Sequence, residues 1–65
     1  MKYRPKLYIL YMYTTLPGHQ VNVSCYPQSK WELVASNNKL VTLRNKNVKI
    51  DIDREDFERD WKEVS

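Results

Sequence analysis

Val48-Lys49-Ile50-Asp51-Ile52-Asp53-Arg54-Glu55-Asp56-Phe57-Glu58-Arg59-Asp60-Trp61 is the stretch where the chain changes period. Val48, Ile50 and Ile52 alternate with Lys49 and Asp51, as in a strand with one buried face. Phe57, Trp61 and Val64 then fall at i, i+4 and i+7, the spacing of one helical stripe. Asp53 suits an N-cap, with Asp56 three residues on as a variant capping box, and Ile52 and Phe57 are spaced as a hydrophobic staple. Asp53, Glu55 and Asp56 favour the positive end of the helix dipole. Glu55–Arg59 and Glu58–Lys62 are favourable i, i+4 pairs. The reading predicts a strand over about 47–52 and a helix over about 54–63.

Working outward, the turns recur closely: Leu16-Pro17-Gly18-His19, Tyr26-Pro27-Gln28-Ser29, Ser36-Asn37-Asn38-Lys39 and Arg44-Asn45-Lys46-Asn47. Asn tolerates the left-handed backbone of tight hairpins, so the last two read as hairpin turns. Four more strands are predicted between these marks, over about 7–13, 20–26, 30–36 and 39–44. Val21, Val23 and Cys25 alternate with Asn22 and Ser24, and Trp31, Leu33 and Ala35 with Lys30, Glu32 and Ser36. Leu40-Val41-Thr42-Leu43 leaves its facing open. In the first strand Leu7, Ile9, Tyr11 and Tyr13 share one face and Tyr8, Leu10 and Met12 the other, which predicts a central or doubly covered position. Residues 1–65 thus read as one mainly β domain. It is a five-stranded antiparallel SH3-like barrel or curled sheet with a C-terminal α-helix, whose Phe57 and Trp61 seal the interior.

A chain of 65 residues buries only about 60% of the surface it exposes when unfolded. Cys25 is the sole cysteine and His19 the sole histidine, so neither an internal disulfide nor a Cys/His zinc site is available as a staple. A lone thiol fits a reducing compartment, and a cytoplasmic location is expected. Lys2, Arg4 and Lys6 ahead of residues 7–13 superficially resemble an export signal. That apolar stretch is short, rich in tyrosine and lacks a small-x-small site, so it is read as structure and no membrane association is expected.

The net charge of +3 is unevenly spread: residues 1–50 hold eight Lys/Arg against Glu32 alone, while residues 51–65 hold seven Asp/Glu against three cations. No Gly-rich phosphate loop exists, since Gly18 is the single glycine. A Cys25/His19 dyad would need its base within hydrogen-bond reach, and a buried small residue on a strand face explains Cys25 as well. Asp51, Asp53, Glu55 and Asp56 lack the spacing and turn glycine of a calcium loop. No cofactor and no catalytic or metal-binding residue is assigned, and a non-enzymatic role is expected.

Two binding readings remain. Lys2, Tyr3, Arg4, Lys6 and Tyr8 interleave cations with flat rings, and Arg44, Lys46 and Lys49 add charge near the last hairpin, a pattern suited to phosphates and stacked bases. The alternative for these residues is an edge strand protected by charge over a tyrosine-filled core. Exposed rings of Tyr3, Tyr8, Tyr13 and Tyr26 would instead make a protein-contact patch, since Tyr and Trp dominate such patches. An edge strand pairing with its twin would give a homodimer.

The run Trp31-Glu32-Leu33-Val34, Leu40-Val41-Thr42-Leu43-Arg44-Asn45, Val48-Lys49-Ile50-Asp51-Ile52 and Asp56-Phe57-Glu58-Arg59-Asp60-Trp61-Lys62-Glu63-Val64 resembles small phage and prophage proteins regarded as SH3-like barrels without assigned activity. The likeness covers about residues 18–65; the tyrosine-rich first strand lies outside it. It implies a phage or prophage origin and carries over no functional residue. The expectation is an interaction or accessory module binding a host or phage protein, with a nucleic-acid-binding barrel as the alternative.

Overall fold

The computed structural model describes residues 1–16 and 19–64, and the side chains of 1–12 and 21–64. The Pro17-Gly18 turn and Ser65 lie outside the described residues, as do the side chains of Tyr13 and His19. Seven strands and one helix follow in order: β1 (Lys2–Pro5), β2 (Ile9–Leu16), β3 (His19–Cys25), β4 (Trp31–Ser36), β5 (Leu40–Asn45), β6 (Val48–Asp53), α1 (Arg54–Asp60) and β7 (Trp61–Glu63). They form a five-stranded antiparallel sheet in the order β6-β5-β4-β1-β7 and a separate two-stranded hairpin of β2 and β3.

The alternation in β5 and β6 does what the sequence predicts. Val41, Leu43, Ile50 and Ile52 point inward and are buried, which settles the facing of residues 40–43. Opposing partners share a face: Val41 with Ile52 and Leu43 with Ile50. The Asn37 carboxamide oxygen accepts from the Lys39 and Leu40 amides at 2.8 Å each, closing the β4–β5 turn as an Asx motif. Ser29 N donates to Tyr26 O at 2.9 Å across the Pro27-Gln28 turn. Trp31 and Trp61 cross edge to face inside, with centroids 6.1 Å apart. Tyr3, Ile9, Tyr11, Val23, Leu33 and Phe57 pack around this cluster.

Three expectations are corrected. The helix ends at Asp60, and Trp61 is already extended at φ −118° and ψ 152°. Trp61 through Glu63 form β7, pairing antiparallel with β1 as Pro5↔Trp61, Arg4↔Lys62 and Tyr3↔Glu63. A helical turn at 61–63 would satisfy the same backbone groups, but pairing also covers the open side of β1, which lies on β4 by its other edge. Trp61 still reaches the core, as a strand residue rather than the end of a helical stripe. Asp53 occupies the cap position without a side-chain bond to the helix, and no residue of α1 is fully buried. Arg59 pairs with Asp56 and Asp60, not with Glu55.

The second correction concerns closure. The sheet is not a closed barrel, since β6 and β7 are its two unjoined edges. Yet the seven residues of α1 link these edges directly, and a helix of that length spans only about 10 Å. Four interstrand steps in a flat sheet cover about 19 Å. The sheet is therefore curled until its edges come within one short helix of each other.

Third, the predicted strand over 7–13 is neither central nor doubly covered. The strand observed there is β2, beginning at Ile9 and running on to Leu16, and among the described residues it pairs with β3 alone. Ile9 and Tyr11 face the core, while Leu10 and Met12 face outward and are exposed.

Candidate functional site

Three surfaces result from this arrangement. The first is the outer face of the five-stranded sheet. Because the register pairs Lys49 with Arg44, Arg44 with Glu32 and Glu32 with Lys2, these four side chains form one row across β6, β5, β4 and β1. Arg4 and Lys62 face each other on β1 and β7. Arg44 bonds Glu32 through Nη2 and Oε1, and that hydrogen bond, with the charges of Arg44 and Lys2, holds the Glu32 carboxyl below its usual range. Thr42 Oγ1 donates to Asp51 Oδ1 at 2.6 Å beside the row.

The strand period divides the predicted aromatic and cationic cluster. Lys2 and Arg4 lie on this outer face, whereas Tyr3 turns inward and meets Phe57 edge to face at 4.9 Å. Lys6 lies beyond β1, its Nζ donating to Arg59 O at 3.0 Å near the end of α1. Tyr8 belongs to the hairpin side, and Lys46 sits on the β5–β6 turn. Of the predicted contacts, Lys2, Arg4, Arg44 and Lys49 share one face, and Tyr3, Lys6, Tyr8 and Lys46 do not. Lys62, read as helical in the sequence, joins them by virtue of β7.

The second surface is the outer face of the β2–β3 hairpin. Leu10 lies opposite Ser24 and Met12 opposite Asn22. Tyr8 and Tyr26 meet at 5.1 Å, and the Tyr8 hydroxyl hydrogen-bonds Ser24 Oγ at 3.1 Å. Tyr8, Leu10, Met12 and Tyr26 are 51, 47, 63 and 48% exposed. Leu10 and Met12 were missed because an apolar strand face normally lies against something; the signal was the polar Asn22 and Ser24 on the partner strand. The Tyr13 ring lies outside the described residues.

The third is a cleft of about 410 Å³ between the free edge of β3 and the start of β4 with the β5–β6 turn. Cys25, at the end of β3, is fully buried, its thiol pushed up to about 11 by desolvation. A thiol so held keeps its proton at neutral pH and is a poor nucleophile. The hairpin is fastened to the sheet by Trp61 Nε1, which donates to the Tyr11 hydroxyl at 3.2 Å. Burial raises the Tyr11 phenol, with the bond from Trp61 offsetting part of that rise. Among the described residues no helix is long and apolar enough to cross a membrane.

No family model matches this chain, and no curated protein or solved structure is detectably similar to it.

Proposed function

We propose that this protein is a non-enzymatic interaction module that binds a protein partner through the outer face of the β2–β3 hairpin. The observation that carries the reading is the grouping of Tyr8, Leu10, Met12 and Tyr26 on one side of a two-stranded ribbon, each about half exposed or more. A contiguous apolar face left open to water is the usual mark of a contact surface, and Tyr and Met suit it energetically. The protonated, buried Cys25 supports a role without nucleophilic chemistry. The likeness of residues 18–65 to small SH3-like phage proteins supports a phage or prophage setting, and the lone thiol supports host cytoplasm.

The test compares the wild-type protein with the double variant Leu10→Ser/Met12→Ser as baits in a bacterial lysate. A partner held by the wild type and lost by the double variant, with the β-rich circular dichroism unchanged, is the expected result. Equal retention by both baits would remove the hairpin face from the reading.

A specific observation favours a second reading, in which the sheet face binds a polyanion. Arg4 faces Lys62 across adjacent strands, like charges that an anion would screen, while Arg44, opposite Lys49, is already paired with Glu32. With three phosphate contacts, binding of a labelled single-stranded oligonucleotide weakens about twentyfold between 50 and 200 mM salt. Binding indifferent to salt, or unaffected by Arg44→Glu/Lys49→Glu, would eliminate this reading.

A further inference from the structure

Residues 7–29 hold none of the eleven Lys/Arg or eight Asp/Glu of the chain. Both strands of the hairpin lie in this charge-free run. The contrast with the sheet is sharpest at the edges, because edge strands are ordinarily kept from pairing with other chains by charged side chains. The sheet follows that rule: β6 at one edge carries Lys49, Asp51 and Asp53, and β7 at the other carries Lys62 and Glu63. The hairpin strands carry no Lys, Arg, Asp or Glu. Among the described residues each of them has a strand on one side alone.

Support from the core also fades along the hairpin. On the inward face of β3, Cys25 is fully buried, Val23 is partly buried and Val21 is 43% exposed. At Val21 the hairpin has therefore left the core and continues as a two-stranded ribbon. Such a ribbon is marginal in water until further strands join it.

We infer that a second copy of this chain supplies them, β2 pairing antiparallel with its twin about Tyr11 to give one sheet in the order β3-β2-β2-β3. A twofold axis makes every contact occur twice, so the strand must be complementary to itself. About Tyr11, Leu10 falls opposite Met12 of the second copy and Ile9 opposite Tyr13. These are apolar and aromatic pairs of the kind that stabilise a ladder, and no like charges meet. The register of β2 against β3 holds from Ile9 to Thr14 and shifts only beyond it, so this stretch is regular. Pairing through β3 would gather Asn22 and Ser24 on the outer face, where β2 gathers Leu10 and Met12. The two outer faces then merge into one apolar row across the axis. The inference goes beyond the protein-binding reading: the second copy takes the edge of β2, and the outer face remains for the partner.

Sedimentation equilibrium tests the pairing. The wild-type mass should rise from one chain toward two between low micromolar and millimolar protein, and hydrogen exchange of alternate β2 amides should slow in parallel. Leu10→Lys/Met12→Lys sets lysine against lysine twice across the axis, whereas Leu10→Lys/Met12→Glu sets lysine against glutamate. The first should dimerise about two- to thirtyfold more weakly than the second. Within one chain positions 10 and 12 lie opposite Ser24 and Asn22, so both variants should keep the β-rich circular dichroism. A wild type that stays monomeric at millimolar protein would overturn the inference. Equal dimerisation by the two variants would overturn it too, since the contact would then lie elsewhere. So would equal loss in both, the mark of a face-to-face contact that buries charge in either variant. If the wild type is monomeric yet holds a lysate partner that Leu10→Ser/Met12→Ser loses, the hairpin-face reading survives without the pairing. If it dimerises and that variant loses no partner, the pairing survives alone.

Discussion

The five-stranded sheet and the β2–β3 hairpin share a two-residue period and put it to different uses. In the sheet the inner positions Val41, Leu43, Ile50 and Ile52 are fully buried, and the outer positions are charged: Lys49, Arg44, Glu32, Lys2. In the hairpin Cys25 is fully buried, Ile9, Tyr11 and Val23 are partly so, and the outer side carries exposed Tyr8, Leu10, Met12 and Tyr26 beside the polar Asn22 and Ser24. Each sheet strand between the edges has ladders on both sides, while each hairpin strand has one. Stability is thus concentrated where the ladders continue, and the proposed contact surface lies where they stop. The charged sheet exterior is what solubility alone would select, and the exposed apolar residues of the hairpin are the departure from it.

The sharpest way to break this division is to cut into the sheet. Trp61→Ala removes a buried ring that meets Trp31, and such truncations cost about 3–5 kcal/mol. That approaches the whole stability of a chain this small, so circular dichroism should show the variant unfolded at 25 °C. Leu10→Ser/Met12→Ser, by contrast, should shift the urea midpoint by about 0.5 kcal/mol or less per site, as exposed substitutions do. Comparable losses in the two variants would end the distinction between a stabilising sheet and a hairpin that contributes little to stability.

A smaller effect tests the fastening between the two regions. Tyr11→Phe keeps the ring but leaves Trp61 Nε1 without its acceptor, which costs about 1–3 kcal/mol for a buried donor. Hydrogen exchange should then accelerate in β2 and β3 more than in β5 and β6. Uniform acceleration would mean that the hairpin and the sheet open as one unit.

How much of this was legible follows from where each partner lies along the chain. Residues 21–25, 31–35 and 48–52 announce their strands because their own side chains alternate. The turns at 26–29, 37–40 and 45–48 are equally local, each being written in Pro or Asn. β1 and β7 were not legible. Lys2-Tyr3-Arg4-Pro5 is too short and charged to read as a strand, and Trp61-Lys62-Glu63 fits a helical stripe begun at Phe57. Each becomes a strand because of the other, nearly sixty residues away, and a single sequence does not display that pairing. The candidate site divides in the same way. The cations were visible one by one, but the row from Lys49 to Lys2 exists through three interstrand registers. The inward turn of Tyr3 follows from β1 being a strand at all.

Cys25 gives a pH-dependent comparison. Its folded-state pKa of about 11 lies above that of an ordinary thiol. The unfolded chain therefore loses this proton first as pH rises, and ionisation favours unfolding. The thiol's contribution is complete below the ordinary thiol range and declines as pH climbs toward about 11. Cys25→Ala should cost stability at neutral pH through lost packing yet flatten the alkaline decline. Native-state labelling by a thiol reagent should run at the rate of hairpin opening; labelling as fast as a free thiol would place Cys25 outside the core. The acid side behaves oppositely: Glu32, held low by Arg44, contributes above the ordinary carboxylate range and loses its contribution as pH falls through its depressed value.

The smallest effect concerns Lys46, where both regions meet. Its φ of 56° places it in the left-handed region, between Asn45 and Asn47, which would tolerate that geometry better. A non-glycine residue there costs about 1–2 kcal/mol, and glycine returns about half of that through its larger unfolded-state entropy. Lys46→Gly should therefore raise the urea midpoint slightly, by up to about 1 kcal/mol, while removing the cation of the cleft. Higher stability with the β-rich circular dichroism unchanged would mean that the turn keeps its lysine at the expense of the sheet. A fall in stability would show instead that the Lys46 stem packs usefully over Val48, making the turn part of the stabilising region.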